Sequence, residues 1–236
     1  MGNVIFNGIS SEDLHVVVQH PPEYVIPERD YEVTHVPGRD GDILVDQGSW
    51  KNVERSYNLA IDARKDGYSA VAGAVARWLH SASGYARLED SYEPEYYRMA
   101  MYKDSVNISN IAMQAGVFNA TFECKPQRFL KAGERVKTFN TWAPLRNPTL
   151  FDSYPKIIVY GKGSGEIYLG AQTIKVNEIV NGMIIDSELQ DAYHNLTNCN
   201  SKIELLEFPR LKPGNTDIVF TEGITKIDIV PRWWTL

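Results

Sequence analysis

Five histidines, His15, His20, His35, His80 and His194, are the natural candidates for metal or acid–base chemistry. None forms an HExxH or HxH pair, the spacings that place two imidazoles on one ion. They read as structural or surface residues. Cys124 and Cys199 stand far apart with no CxxC or Cys/His cluster, so neither zinc nor a disulfide framework is expected. Both read as unpaired, buried thiols, because free Cys usually packs as a small hydrophobe. Gly161-Lys162-Gly163-Ser164-Gly165 imitates a phosphate loop. A phosphate cradle needs a helix N-terminus after its glycines. Here Glu166-Ile167-Tyr168-Leu169 reads as a strand, so the expectation is a tight hairpin. Asp40-Gly41-Asp42 and Asp186-Ser187-Glu188 bring acids together. They lack the calcium loop pattern, and glycosidase work depends on a carboxylate separation that a sequence does not contain. Asn107, Asn119 and Asn195 begin Asn-x-Ser/Thr triplets that read as chance matches. Arg232-Trp233-Trp234 suggests a final strand that packs its rings into a sheet edge, with a stacking platform for sugar or a partner as the alternative. No catalytic, cofactor-binding or metal-binding residue is assigned, ligand-binding residues stay unassigned, and an enzyme is not expected.

The scaffold for these residues is ordinary in size and composition. The chain has 236 residues and is 43% hydrophobic, enough for one large core or two modest ones. No run of eighteen apolar residues offers a transmembrane helix. Met1 to Ser10 lacks the basic start and apolar stretch of a signal peptide, so synthesis in the cytoplasm without cleaved export is expected. Lys and Arg total 24 against 30 Asp and Glu, a net charge of −6. That argues against a dedicated nucleic-acid binder, yet suits a surface that nucleic acid slides past. Thirteen Tyr and five Trp favour strands and interfaces, and so a β-rich protein that assembles.

Short strands dominate the pattern. Val4 to Phe6 precedes an Asn7-Gly8 turn, and Leu14 to Val18 is a second apolar run. His20-Pro21-Pro22 and Pro27 mark a loop or edge. Tyr31 to Val36 and Asp42 to Asp46 pair across the Pro37 to Gly41 turn as a hairpin. From Val53, the residues Val53, Tyr57, Leu59 and Ile61 share one face, with Arg55 as the exception. Val71, Val75, Trp78 and Leu79 form the apolar stripe of a helix over Tyr68 to Ser81, punctuated by Asp66-Gly67 before and Gly84 after. Ala86 to Glu89 and Tyr96 to Tyr102 read as strands, and Phe118, Ala120, Phe122 and Cys124 form one face of another. Proline and glycine punctuate a weakly periodic stretch between Lys125 and Tyr154, so a domain boundary is expected there. Beyond it, Lys156 to Tyr160, Glu166 to Leu169, Gln172 to Val180, Met183 to Asp186, Lys202 to Leu206, Thr216 to Phe220 and Thr225 to Val230 read as strands of a β-sandwich. Asn181-Gly182 is its strongest hairpin signal, and Pro213-Gly214-Asn215 and Glu222-Gly223 supply its last turns.

The C-terminal block resembles a known family. Tyr154-Pro155-Lys156-Ile157, Tyr160-Gly161-Lys162-Gly163, Ile185 to Leu189, Phe208-Pro209-Arg210-Leu211-Lys212-Pro213-Gly214-Asn215 and Pro231-Arg232-Trp233-Trp234 follow one another in its order. Phe6-Asn7-Gly8, Val36 to Gly41, Arg77-Trp78-Leu79 and Tyr97 to Met101 extend the likeness over nearly the whole chain. The set is similar to the siphophage distal tail protein (Dit) family of phages infecting Gram-positive bacteria. The resemblance implies a mainly β chain of two domains: residues 1–135, ring-forming with one packed helix, and residues 136–236, a galectin-like β-sandwich on the outside of the ring. It implies a hexameric ring, single or stacked, at the virion tail tip (baseplate). The implied partners are the tail tube protein, the tape measure protein and the tail-associated host-recognition or receptor-binding proteins. DNA passes only in transit, and no membrane insertion or cofactor is implied. Longer relatives carry inserted carbohydrate-binding modules, for which this chain shows no room. The alternative is a galectin-like carbohydrate-binding module contacting the cell wall. Its His, Asn, Arg, Trp and Glu cluster has no match in the C-terminal part, where His194-Asn195 stands isolated.

Overall fold

The computed structural model describes residues 2–112 and 114–236. Met1, the first residue of the N-terminal stretch read above, and Met113, in the run toward Cys124, lie outside the described residues. The chain is mainly β, with one α-helix among the described residues. It divides into two compact units, one running to Arg128 and including Leu236, the other spanning Phe129–Thr235.

The first unit is built on an antiparallel sheet. Its order is Ile9–Ser10, Val4–Phe6, Ala86–Asp90, Tyr96–Met101, Ala115–Leu130, Val53–Asp62 and Val16–Val18. Alternation sets the faces. Tyr57, Leu59 and Ile61 point inward beside Phe118, Ala120, Phe122 and Cys124, while Glu54, Asn58, Asp62 and Asn119 face solvent. The helix Tyr68–Leu79 completes the same core with Val71, Val75, Trp78 and Leu79, all buried. Burying each such side chain stabilises the unit by roughly 1.5–3 kcal/mol. The Trp78 indole N–H donates to the Ile9 carbonyl at 3.1 Å, so the ring's one polar atom is satisfied. Phe6 and Phe122 meet at 5.0 Å between ring centres. The helix ends earlier than Gly84 suggests. The amide of His80 closes on the Ala76 carbonyl and that of Ser81 on Trp78, so no glycine is needed. The run at Leu14 to Val18 also splits: Glu12–Leu14 is a 3₁₀ turn, His15 turns left-handed, and the strand is Val16–Val18.

The second unit is a sandwich. One sheet has the order Lys137–Phe139, Ile224–Val230, Lys156–Gly161, Met183–Asp186, Asp191–His194 and Thr197–Asn198. The other has Ala143–Asn147, Gly214–Phe220, Gly165–Leu169, Gln172–Val176 and Ile203–Glu204. Ile157, Val159, Met183, Ile185, Ile227 and Ile229 from the first sheet share one core with Ile167, Leu169, Ile174, Val176 and Ile218 from the second. Trp233 joins that core, and Trp234 stacks on Phe151 at 4.5 Å with its N–H on the Asp152 carbonyl. Trp233 is thus packed into the sandwich core, while Trp234, half-buried, begins a short strand, Trp234–Thr235, that pairs with Ala115–Leu130.

Several expected hairpins are crossings instead. Gly161 to Gly165 connects strands of different sheets, as do Asn181-Gly182 and Glu222-Gly223. Glycine is still required at two of these places. A Cβ at Gly161 would run into the Gly223 carbonyl, and one at Gly223 into the Ser164 carbonyl. Gln172–Val176 stops four residues before Val180 because the chain must leave its sheet there. Only Ile203–Glu204 of the run at Lys202 to Leu206 is strand, following a 3₁₀ turn. The punctuated stretch takes in the end of Ala115–Leu130 and holds two further strands, Lys137–Phe139 and Ala143–Asn147. Pro144 is tolerated in the latter because that strand lies at a sheet edge.

Cys124 and Cys199 are free and buried, in different units. Burial pushes the Cys124 thiol up to about 12. Neither thiol is expected to react with a thiol-specific disulfide reagent at pH 8 while the chain is folded, and both should react within minutes in denaturant. Absorbance of the released thiolate measures this. A native signal would mean that at least one unit opens around its thiol.

Candidate assembly interface

Of the acids singled out in the sequence, Asp42, Asp186 and Glu188 are engaged in ion pairs or hydrogen bonds. Arg232 holds Asp186 bidentately at 2.6 and 2.8 Å and reaches Glu188 at 3.3 Å. Burial pushes the Asp186 carboxyl up, but the Arg232 guanidinium and two backbone amides outweigh it, leaving the group below the usual carboxylate range. Asp42 meets His35 at 3.0 Å. Among the described residues no group of three or more His, Cys, Asp or Glu is arranged to hold a metal ion. The glycine-rich segment at Gly161 leads into a strand, as its residues indicate.

A different feature stands out. Arg29–Thr34 and Ile43–Trp50 pair only with each other, as a two-stranded sheet separate from the rest of the first unit. Register places Tyr31 opposite Asp46, Glu32 opposite Val45, Val33 opposite Leu44 and Thr34 opposite Ile43. Directly opposed residues share a face. One face therefore carries Tyr31, Val33 and Leu44, and the other Ile43 and Val45. All five are exposed, Val33 at 57% and Leu44 at 61%. A ribbon of two strands has no second layer in which to bury apolar side chains on either face, and an isolated hairpin is marginal in water. Polar pairs hold it instead. Arg29 binds Asp46 bidentately at 3.0 and 2.8 Å and lies 5.0 Å from the Trp50 ring centre. Gln47 donates to Glu32 and Ser49 to Asp30, each at 3.2 Å. The Arg29 guanidinium holds the Asp46 carboxyl below its ordinary range.

The arm is rooted through a stalk that adds three more exposed apolar residues, Tyr24, Val25 and Ile26. Its base meets a buried ionic cluster. The side chains of Arg55 and Asp90 are 4% and 5% exposed and pair at 2.9 Å. Asp90 also accepts the Tyr57 hydroxyl at 2.7 Å and the amides of Tyr92 and Glu93. Arg55 contacts Glu93 at 3.1 Å, as do Arg98 at 3.0 Å and Arg128 at 2.6 Å. Burial works to raise the Asp90 carboxyl, but the Tyr57 hydroxyl and Arg55 overcome it and leave the group lowered. Burial, then Asp90, drives the Tyr57 hydroxyl well above its ordinary value. Arg55 was visible in the sequence as the exception to an apolar alternation. Its partners come from strands distant in sequence and carried no comparable signal.

The second unit also exposes apolar residues, including Trp142, Leu150, Leu189, Leu196 and Leu206. They stand on separate loops, and apolar residues scattered singly are common on soluble surfaces. Among the described residues, only the arm concentrates them on one element.

Comparison with solved structures supplies an informative match. The chain is similar to the SPP1 Dit (gp 19.1) protein, whose crystal structure is described as a paradigm of hub adsorption apparatus in phages infecting Gram-positive bacteria. The likeness covers 100% of both chains with a TM-score of 0.73 and 16% identity. No protein-family model and no curated protein matches the chain. The chain therefore has a Dit-like fold over its full length.

Proposed function

We propose that this protein is a structural hub of a phage tail tip, and that copies of it close into a six-membered ring. The observation that carries this reading is the arm, an element with uncovered apolar residues on both faces, in a chain whose fold matches a hub protein throughout. A ring of identical subunits uses a heterologous contact, in which one patch of each copy meets a different patch on the next. The arm is the inserting patch. The first unit builds the ring. The second, a galectin-like sandwich, offers its loops to the tail tube protein, the tape measure protein and the host-recognition proteins. DNA crosses the central channel, and the net charge of −6 keeps it from adhering. The role is non-catalytic and belongs to the virion tail tip, after synthesis in the host cytoplasm.

Light scattering coupled to size exclusion tests the assembly. One chain weighs 26.7 kDa. A particle of six or twelve chains with a central hole in electron micrographs is the expected result. A monomer at every concentration, still monomeric when mixed with tail tube protein, would overturn the ring.

A further inference from the structure

The arm can serve assembly only if it leaves the first unit in a defined direction, and the residues between core and arm look built for that. The stalk, residues 21–28, has no regular secondary structure and contains Pro21, Pro22 and Pro27. Proline fixes φ and stiffens such a segment. A stiff stalk transmits orientation from whatever grips its base. Two guanidinium groups do so, that of Arg55 buried and that of Arg128 partly buried. Arg55 Nη1 donates to the Glu23 carbonyl at 2.9 Å while its Nη2 binds Asp90 at 2.9 Å. Arg128 lies 4.9 Å from the ring centre of Tyr24 and 4.8 Å from that of Tyr96. Both are locked from behind by Glu93. On the returning side, the Asn52 side chain donates to Glu123 and to the Tyr85 hydroxyl, each at 2.7 Å. A network this deeply buried is no efficient source of stability, since apolar residues often do as well. What it supplies is a rigid fork that reaches a backbone carbonyl and an aromatic ring of the stalk from inside the core.

We propose that Arg55 and Arg128 are positioning residues for assembly: they clamp the stalk at Glu23 and Tyr24 and so set the direction of the arm. This rests on the assembly role of the arm proposed above.

The test separates clamp from core. Arg55→Lys keeps a cation for Asp90 but lacks the planar fork that also reaches Glu23. Tyr24→Ala removes an exposed ring and leaves the core untouched, while Tyr24→Phe keeps the cation–π contact and should rescue. Spin labels placed at Thr34→Cys on the arm and Ser69→Cys on the helix report their separation, the native thiols being buried. Measured below the assembling concentration, the parent and Tyr24→Phe should give a narrow distance distribution, and Arg55→Lys and Tyr24→Ala a broad one. The concentration for half-assembly should rise about tenfold in the latter two, with unchanged unfolding midpoints for Tyr24→Ala. Equal widths in all four proteins would overturn the clamp. Broad distributions with parental assembly would overturn its role in positioning. If instead an arm-face variant such as Val33→Asp with Leu44→Asp still forms the ring, the arm is not the interface, and the assembly reading itself has failed.

Discussion

Replacing Val33 and Leu44 together with aspartate is expected to leave a folded monomer that forms no ring. The two residues are directly opposed on one face of the arm and both are more than half exposed in the single chain. Substitutions at such exposed positions shift stability by only about 0.5 kcal/mol. In the assembly the same side chains would be covered, each contributing roughly 1.5–3 kcal/mol. Losing both, and burying two carboxylates without partners, weakens association by at least about 4 kcal/mol, on the order of a thousandfold. Circular dichroism and the thermal midpoint should match the parent while light scattering reports one chain. Asp46 already stands on the same face, so added negative charge also repels its neighbour. Changing the exposed Leu206 to aspartate is the control, and should leave the ring intact.

Removing Asp90 is expected to cost more stability than removing any exposed side chain. Its carboxylate neutralises Arg55 inside the first unit and accepts from Tyr57 and two backbone amides. Asp90→Ala leaves the buried Arg55 with Glu93 as its remaining anionic partner and takes away the acceptor of the Tyr57 hydroxyl, at a cost of about 3–5 kcal/mol. Against a total of roughly 5–15 kcal/mol, that is a large shift in a urea midpoint. The double variant Asp90→Ala with Arg55→Met should lose less than the sum of the single losses, because the stranded charge is gone. The same carboxylate makes the first unit acid-sensitive. Its folded pKa is lowered, so its contribution is fully present above the unfolded value near about 3.9 and fades as pH falls through the folded value. The Asp90→Ala variant should therefore show a flatter loss of stability below pH 4 than the parent. Parallel curves would mean that other carboxylates dominate acid unfolding.

Periodicity carried the first unit almost completely. Tyr57, Leu59 and Ile61 alternate, Val71 to Leu79 repeat at helical spacing, and both patterns are direct records of which face is buried. The second unit was legible as strands but not as connections. Gly161, Gly182 and Gly223 all adopt positive φ, and a turn within a sheet demands the same residue as an arch between two sheets. Local residues therefore mark where the chain turns and stay silent on which strand receives it. The arm was foreseen as a hairpin from Pro37 to Gly41 and its flanks. That it stands uncovered was not, because Val33, Leu44 and Val45 look like core residues in any sequence. Burial is a property of what lies opposite, and here none of the described residues covers them. The ionic cluster was similarly hidden, since Arg55, Asp90, Glu93 and Arg128 meet only once three separate strands are in register.

The sandwich has one more consequence, for the order in which it can be made. Ile224–Val230 lies between Lys137–Phe139 and Lys156–Gly161 in its sheet, although it follows both in sequence. Thr138 and its partner Asp228 are 90 positions apart. At roughly 5–20 residues per second, the earlier strands wait on the order of ten seconds on the ribosome before their neighbour exists. The seven strands from Ile9–Ser10 to Val16–Val18 in the first unit's sheet order have all emerged by then. A chain interrupted before Ile224 loses an interior plank and not a trimming at the rim, so its Ile157 and Val159 face an unfinished sheet. Such fragments should be cleared by proteolysis or aggregate, and a nascent second unit would depend on chaperones until Ile224–Val230 arrives.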